Sequence, residues 1–286
     1  MSGYSVYFLF FAVAISIGFM PEGHVIHRLA RELDQHFCGT SPQVSSPQGR
    51  FATEAALLNG APYDHAEAWG KHLFIHFAPE RHEHIVHIHL GLIGSLRFEL
   101  VDDPWGQIRF RIQSDAIAAN LRGPQWCRLI TEEEQSLAVA RLGADPLRAD
   151  ADPSETFRKV GRSRKSIAAL LMDQKLFAGV GNIYRAETLF RLGLSPFTPG
   201  VNETALPAIW QDLQELMADG VLKGRIDTVR PEHTPEAMGR SPRKDDHGGE
   251  VYVYRRAGQP CYVCGHEIAE QVLEGRNLFW CPRCQG

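Results

Sequence analysis

Charge is missing from the start of this 286-residue chain: no Asp, Glu, Lys or Arg precedes Glu22. The apolar stretch SVYFLFFAVAISIGF, residues 5–19, lacks the basic flank of a secretory signal and is shorter than the roughly 20 residues of a membrane helix. Export or anchoring is thereby disfavoured. Two readings of residues 1–19 stand, an apolar leader or an extension from a start codon assigned too far upstream. A surplus of positive charge is lacking as well. The net charge of −4 and pI near 6.4 exclude a uniformly basic nucleic-acid coat. The halves differ, however: residues 1–157 hold 12 basic and 19 acidic side chains, residues 158–286 hold 18 and 15. A polyanionic partner is therefore sought mainly in the second half. Cysteine is scarce, with only six, and no internal repeat is visible. Cys38 and Cys127 stand alone, as buried apolar fillers do, so a disulfide framework is not indicated.

What is present divides in order along the chain. Val25, Ile26, Leu29, Ala30, Leu33 and Phe37 recur at helical spacing, which predicts an amphipathic helix over 22–37 with Pro21 at its mouth. Between 41 and 130 short apolar runs such as HLFIHF, HIVHIHLGLIGSLRFEL and IRFRIQ alternate with turn residues, the pattern of a β-sandwich or barrel. Gly91 and Gly94 imply a bend or a close backbone approach. A helix over 131–142 precedes a linker rich in Asp, Pro and Ala over 143–153, which places a boundary near 150. Helical patterns follow at 154–160, 164–176, 182–192 and 204–221, then a mobile loop at 231–249 and a tail with strand signals. The fold class is α+β: an N-terminal helix and sandwich over 20–150, a helical unit over 151–249, and a C-terminal hairpin over 250–286.

The sharpest local signal is CYVCGHEIAEQVLEGRNLFWCPRC. Cys261, Cys264, Cys281 and Cys284 form two C-x-x-C knuckles sixteen residues apart, a set that suits one tetrahedral zinc with no open position. The intervening residues leave room for a β-hairpin with Arg276 near its turn. Upstream, FAGVGN joins two helical patterns. Gly179 and Gly181 permit a tight turn and Asn182 suits an N-cap, so amides at the start of the next helix are placed to face a phosphate. His82, His84, His87 and His89 invite a metal, but no third ligand accompanies His87 and His89 on their strand face, and they read as strand histidines.

Three separated segments, MPEG at 20–23, DQKLFAGVGNIYRAE at 173–187 and the zinc hairpin ending GRNLFWCPRCQ, resemble the formamidopyrimidine-DNA glycosylase and endonuclease VIII family. AWGKHLF at 68–74 and HLGLIGSLRF at 89–98 extend the likeness from Met20 to Gln285. MPEG, in place of an MPELPE opening, tilts it toward endonuclease VIII, and HLGLIG and LRGP toward its actinobacterial members.

The resemblance implies a helix-two-turn-helix unit and a bifunctional DNA glycosylase and AP lyase of base excision repair. On the matching residues, Pro21 is the nucleophile whose free secondary amine attacks the sugar C1′, Glu22 moves protons, and Lys71 contacts phosphate and assists elimination. A helix mouth favours the uncharged amine that such a nucleophile needs. The chain as numbered gives Pro21 an amide nitrogen, which has no such lone pair. The resemblance also carries phosphate contacts to Asn182 and Arg276, and a void-filling wedge to Leu92, which on its own reads equally as a core strand leucine. Arg122 becomes a candidate to meet the orphaned base, and His89 to lie near the DNA backbone.

Val25 stands where the family often has glutamate, and NLRGPQW replaces the arginine–phenylalanine wedge of the purine-preferring branch. Oxidised pyrimidines in double-stranded DNA are therefore the expected substrates, removed with β,δ-elimination. An 8-oxoguanine enzyme and a non-catalytic protein that grips damaged DNA are the alternatives. One structural zinc, a monomer and a cytoplasmic, nucleoid-associated location complete the expectation.

Overall fold

A computed structural model describes residues 21–102, 104–199, 204–244 and 249–286. The apolar stretch before Met20, with both readings of it, lies outside the described residues. Helix α1 spans Gly23–Phe37 and buries Ile26, Leu29, Ala30, Leu33 and Phe37, the face that its periodicity marks. Strand β1 (Gln43–Ser45) and helix α2 (Ala52–Leu58) lead into β2 (Tyr63–Trp69), β3 (His72–Phe77), β4 (Ile85–His89), β5 (Ser95–Leu100), β6 (Ile108–Gln113), β7 (Ile117–Arg122) and β8 (Trp126–Ile130). They form two antiparallel four-stranded sheets, ordered β1-β6-β7-β5 and β2-β3-β4-β8. Alternate residues of the two sheets, Leu73, Ile75, Val86 and Ile88 from one and Phe110, Ile112, Ala119 and Leu121 from the other, meet with α1 in one core. The long run HIVHIHLGLIGSLRFEL is broken at Gly91 to Gly94. Gly91 has φ +71°, and a Cβ on Gly94 would lie 2.2 Å from the Leu90 carbonyl oxygen, so the chain turns there.

Helix α3 (Glu132–Val139) starts with a capping box in which Thr131 and Glu134 each accept the other's backbone N–H. The stretch 143–153 that follows is tied down. Asp145 is buried, and its carboxylate accepts the Gly70 N–H at 2.7 Å, the Leu147 N–H at 2.9 Å and a bond from His27 at 2.8 Å. Helices α4 (Ser154–Gly161), α5 (Ile167–Leu170), α6 (Asn182–Arg191) and α7 (Ala205–Lys223) come next. The pattern over 164–176 yields only the four-residue α5, because Asp173 interrupts it. Its side chain takes the Lys175 N–H and its carbonyl takes those of Leu176 and Phe177, a local turn that competes with the helix.

A second core gathers these helices with the tail. Ile183, Tyr184, Leu189 and Phe190 of α6 pack with Leu213 and Met217 of α7 and with Val251 to Tyr254. Buried Glu187 accepts the N–H groups of Tyr252, Val253 and Tyr254 at 2.7–2.8 Å, so one carboxylate satisfies three interior donors. The described part of 231–249 is anchored, in contrast to the mobile loop expected there. It carries a 3-10 turn and helix α8 (Pro235–Met238), His233 bonds the Tyr252 hydroxyl at 2.9 Å, and Arg240 lies 4.2 Å over the Tyr262 ring. The chain ends in the hairpin of β9 (Ala269–Leu273) and β10 (Arg276–Trp280). Glu274 (φ 46°) and Gly275 (φ 75°) supply the two left-handed residues of its tight turn. No helix among the described residues is long and apolar enough to cross a membrane.

Candidate active site and nucleic-acid interface

Three backbones converge beneath the mouth of α1. Gly23 donates its N–H to the Gly179 carbonyl at 2.8 Å, and a Cβ on Gly23 would lie 2.8 Å from the Gly179 Cα. A Cβ on Gly70 would lie 2.9 Å from the Gly179 nitrogen. The N-terminal helix, the β2–β3 turn and the FAGVGN turn thus approach more closely than any side chain permits. Gln174 clamps the last of these, accepting the Gly179 N–H at 3.1 Å and donating to the Val180 carbonyl at 2.9 Å.

That convergence buries Pro21 and Glu22 against the start of α6. The Glu22 carboxylate accepts the N–H of Ile183 at 2.9 Å and that of Tyr184 at 3.5 Å. Removal from water pushes its pKa above the ordinary carboxylate range, while the charge of Lys71 and the α6 amides pull it down. The α6 amides expected to face a phosphate face this carboxylate instead, because Glu22 reaches them from a segment 161 residues away. The N-cap is Gly181, in extended conformation, and Asn182 is the first helical residue.

Lys71, at the β2–β3 turn, donates to the Val180 carbonyl at 2.9 Å. Burial lowers its pKa; Glu22 opposes that shift and Arg276 reinforces it, so all three sense one another. Asn182 donates to the Asn277 carbonyl at 2.9 Å and accepts from Arg185, whose guanidinium also reaches Asn277 at 3.1 Å. The first turn of α6 is thereby fastened to β10, and Arg276 is exposed at the first pair beyond the hairpin turn.

The remaining sequence candidates fall at the sandwich's rim or on its faces. Leu92 is 60% and Ile93 85% exposed, in the turn between β4 and β5, which removes the core-leucine reading of Leu92. Arg122 is committed to neighbours, bonding Glu99 through both terminal nitrogens at 3.1 and 2.9 Å and lying 4.2 Å from the Trp105 ring centre. His89 accepts the Gly91 N–H at 3.1 Å and lies 4.5 Å from Trp126. Burial and then the Lys71 charge lower its pKa. His87 joins an aromatic stack, bonding His72 at 2.8 Å and lying 4.5 Å from Phe74. The two metal-competent groups found among the described residues include none of His82, His84, His87 and His89.

One of those groups is the four cysteines of the hairpin, whose sulfurs all lie within 4.8 Å of one another. Cys261 and Cys284 stand 3.9 Å apart, and Cys264 and Cys281 3.5 Å. A tetrahedral zinc with bonds near 2.3 Å separates its sulfurs by about 3.8 Å, so the thiols fit one structural ion.

A buried carboxyl whose pKa is raised by desolvation, with cationic side chains from both units nearby, is the equipment of a lyase that acts on a polyanion. Three family models match in chain order: the formamidopyrimidine-DNA glycosylase N-terminal domain over residues 20–125, the formamidopyrimidine-DNA glycosylase H2TH domain over 142–230, and the zinc finger found in FPG and IleRS over 258–286. The chain belongs to the formamidopyrimidine-DNA glycosylase and endonuclease VIII family. It is 48% identical over 277 residues to "Endonuclease 8 1" of Mycobacterium tuberculosis, covering 93% of this chain and all of that one. It is 34% identical over 279 residues to the formamidopyrimidine-DNA glycosylase of Thermus thermophilus, covering 93% and 99% of the two chains. The crystal structure of the Thermus protein superposes with a TM-score of 0.70 at 27% identity, over 93% and 99% of the two chains. The Lactococcus lactis Fpg in complex with abasic-site DNA does so with a TM-score of 0.75 at 21% identity and the same coverage, which is a likeness of fold. By these likenesses the chain is a DNA glycosylase and AP lyase of the endonuclease VIII kind.

Proposed function

We propose that the protein excises oxidised pyrimidines from double-stranded DNA through a Schiff base on Pro21, with Glu22 as proton carrier and Lys71 as phosphate-side assistant. The observation that carries this reading is the buried Glu22 carboxyl beside Pro21, raised in pKa by desolvation and held under the first amides of α6. The Pro21 amine bonds to C1′ as the damaged base departs with the glycosidic electron pair and takes up the amine proton; the acid then protonates the deoxyribose ring oxygen, and the C1′–O4′ bond breaks to open the sugar. The resulting iminium makes the C2′ proton acidic. Its removal expels the 3′ phosphate, and a second elimination expels the 5′ phosphate.

That chemistry needs Pro21 as a secondary amine, so the working form proposed here begins at Pro21. Lys71 lies within electrostatic reach of both the acid and Arg276, and Asn182 keeps a second N–H on the nitrogen that bonds Asn277. Leu92, at its exposed turn, is positioned to occupy the gap left by an extruded nucleotide. The DNA-contact role of Arg122 requires it to leave Glu99 and Trp105, whereas His89 lies close enough to Lys71 for its charge to be felt. The pyrimidine preference rests on Gly123 and Pro124 following Arg122, which leave no aromatic wedge there. A monomer with a division near residue 150 between its catalytic and DNA-gripping units is the accompanying proposal.

Intact mass of the active protein, combined with borohydride trapping on a duplex with one abasic site, tests the nucleophile. A species beginning at Pro21 that traps DNA, with trapping lost in Pro21→Gly, is expected. Trapping by protein that retains the preceding residues would move the nucleophile to a lysine, with Lys71 the first suspect. Excision rates on duplexes with thymine glycol and with 8-oxoguanine test the substrate class, and faster removal of the purine would overturn it.

A further inference from the structure

The second metal-competent group lies on the outer face of the sandwich and shares no residue with the acid or the hairpin. Its ligands come from two paired strands. The β2–β3 register passes from Tyr63 opposite Phe77 to His65 opposite His76, so Asp64 is the extra residue of a bulge. The bulge sets His65 directly across from His76, their rings stacked 4.1 Å apart at 11°. Glu67, two residues beyond His65, shares its face. One ligand atom from each of the three falls within 4.8 Å of the others.

We propose that His65, Glu67 and His76 bind a second zinc ion at the edge of the sheet β2-β3-β4-β8. The neighbouring groups orient each ligand for it. His65 Nδ1 lies 3.0 Å from the Asp64 carboxylate, which fixes the tautomer and leaves Nε2 as the donor, the carboxylate–histidine arrangement common around bound metals. Glu67 uses Oε2 on the Trp69 indole N–H at 2.9 Å and on Arg148 at 3.1 Å, and turns Oε1 toward His76 Nε2, 3.6 Å away.

Two imidazoles and one carboxylate are a ligand set of zinc with a fourth position open. Bonds near 2.1 Å separate tetrahedral N and O ligands by about 3.4 Å, close to the Glu67–His76 spacing already present. His65, the exposed member, closes the remaining distance. Gln135 of α3 supplies the fourth side. Its amide nitrogen lies 2.5 Å from Glu67 Oε1 and 3.4 Å from His76 Nε2, and turned over it would offer its oxygen to the ion. A cavity of about 440 Å³ between the sheet and α3, lined also by His84 and Glu132, gives room for that rotation and for a water. The ion would pin edge strand β2 to β3 and α3.

The test is metal content of the whole protein after loading with zinc and exhaustive dialysis. Wild type is expected to hold two equivalents, and the His65→Ala/His76→Ala double variant one, with excision of a damaged base unchanged. Cobalt loading separates the sites, since only the cysteine site gives thiolate charge-transfer absorption. The double variant should lose the nitrogen–oxygen signal and retain that band. His65→Ala alone alters an exposed side chain, and it guards against misfolding of the double variant. Asp64→Asn should weaken the second equivalent about 10- to 100-fold. One equivalent in the wild type, or two in both proteins, overturns the proposal.

Discussion

Glu22 lies over Gly181 so closely that a methyl group on Gly181 would sit 2.2 Å from the carboxyl carbon. Gly181→Ala must displace the acid or the start of α6. A loss of about 1–3 kcal/mol in stability is expected from such overpacking. Borohydride-trapped yield should fall more than DNA affinity does, because Lys71 and Arg276 stay in place. Equal losses in the two assays would show that the glycine matters only for folding.

The Glu22 carboxyl also gives a pH signature. Its folded pKa lies above the ordinary 4.5, chiefly through burial. An unfolded chain therefore releases this proton first as pH rises, and stability declines between 4.5 and the folded value. Glu22→Gln removes that decline. The variant should match wild type in Tm at about pH 4 and exceed it at neutral pH, while excision is lost. Melting curves across that range, with single-turnover assays beside them, check both halves.

Arg276 is exposed at the hairpin tip, within electrostatic reach of Lys71. Arg276→Ala is expected to weaken binding to every duplex alike and to lower the slope of log affinity against log salt by about one. A change confined to damaged duplexes would mean that Arg276 reads the lesion rather than the backbone.

Zinc removal should act on one core. Ile268, Leu278, Phe279 and Cys281 belong to the core that holds α6 and α7, whereas the sandwich core contains no hairpin residue. Stripping the cysteine-bound ion is expected to lower the calorimetric transition of the helical unit and to abolish DNA binding, with the sandwich transition kept. A single transition lowered as a whole would show that the two cores unfold together.

Features written in local spacing were legible in the sequence. The cysteine knuckles, the amphipathic stripe of α1 and the break at Gly91 each rest on residues within one or two turns of one another. Relationships made by distant partners were not. Asn182 reads as an N-cap, yet its side chain is taken by Arg185 and Asn277; the α6 amides read as an anion site, yet Glu22 fills it. Arg122, a base-contact candidate by resemblance, bonds Glu99 of the adjacent strand β5, a pairing that no local spacing shows. The pairing of His65 with His76 depends on one bulged residue, and a one-residue slip would send His65 to the other face.

The reach of Glu22 to Ile183 also orders events during synthesis. The acid and its backbone donors are separated by 161 positions, so the ribosome has made more than half of the chain before they can meet. Closing so long a loop is slow and entropically costly until the two cores exist to hold it. A truncated or half-finished chain thus carries Pro21 and Glu22 without the α6 amides that hold the Glu22 carboxylate in place. The reactivity that cuts DNA switches on only in a completed, folded molecule.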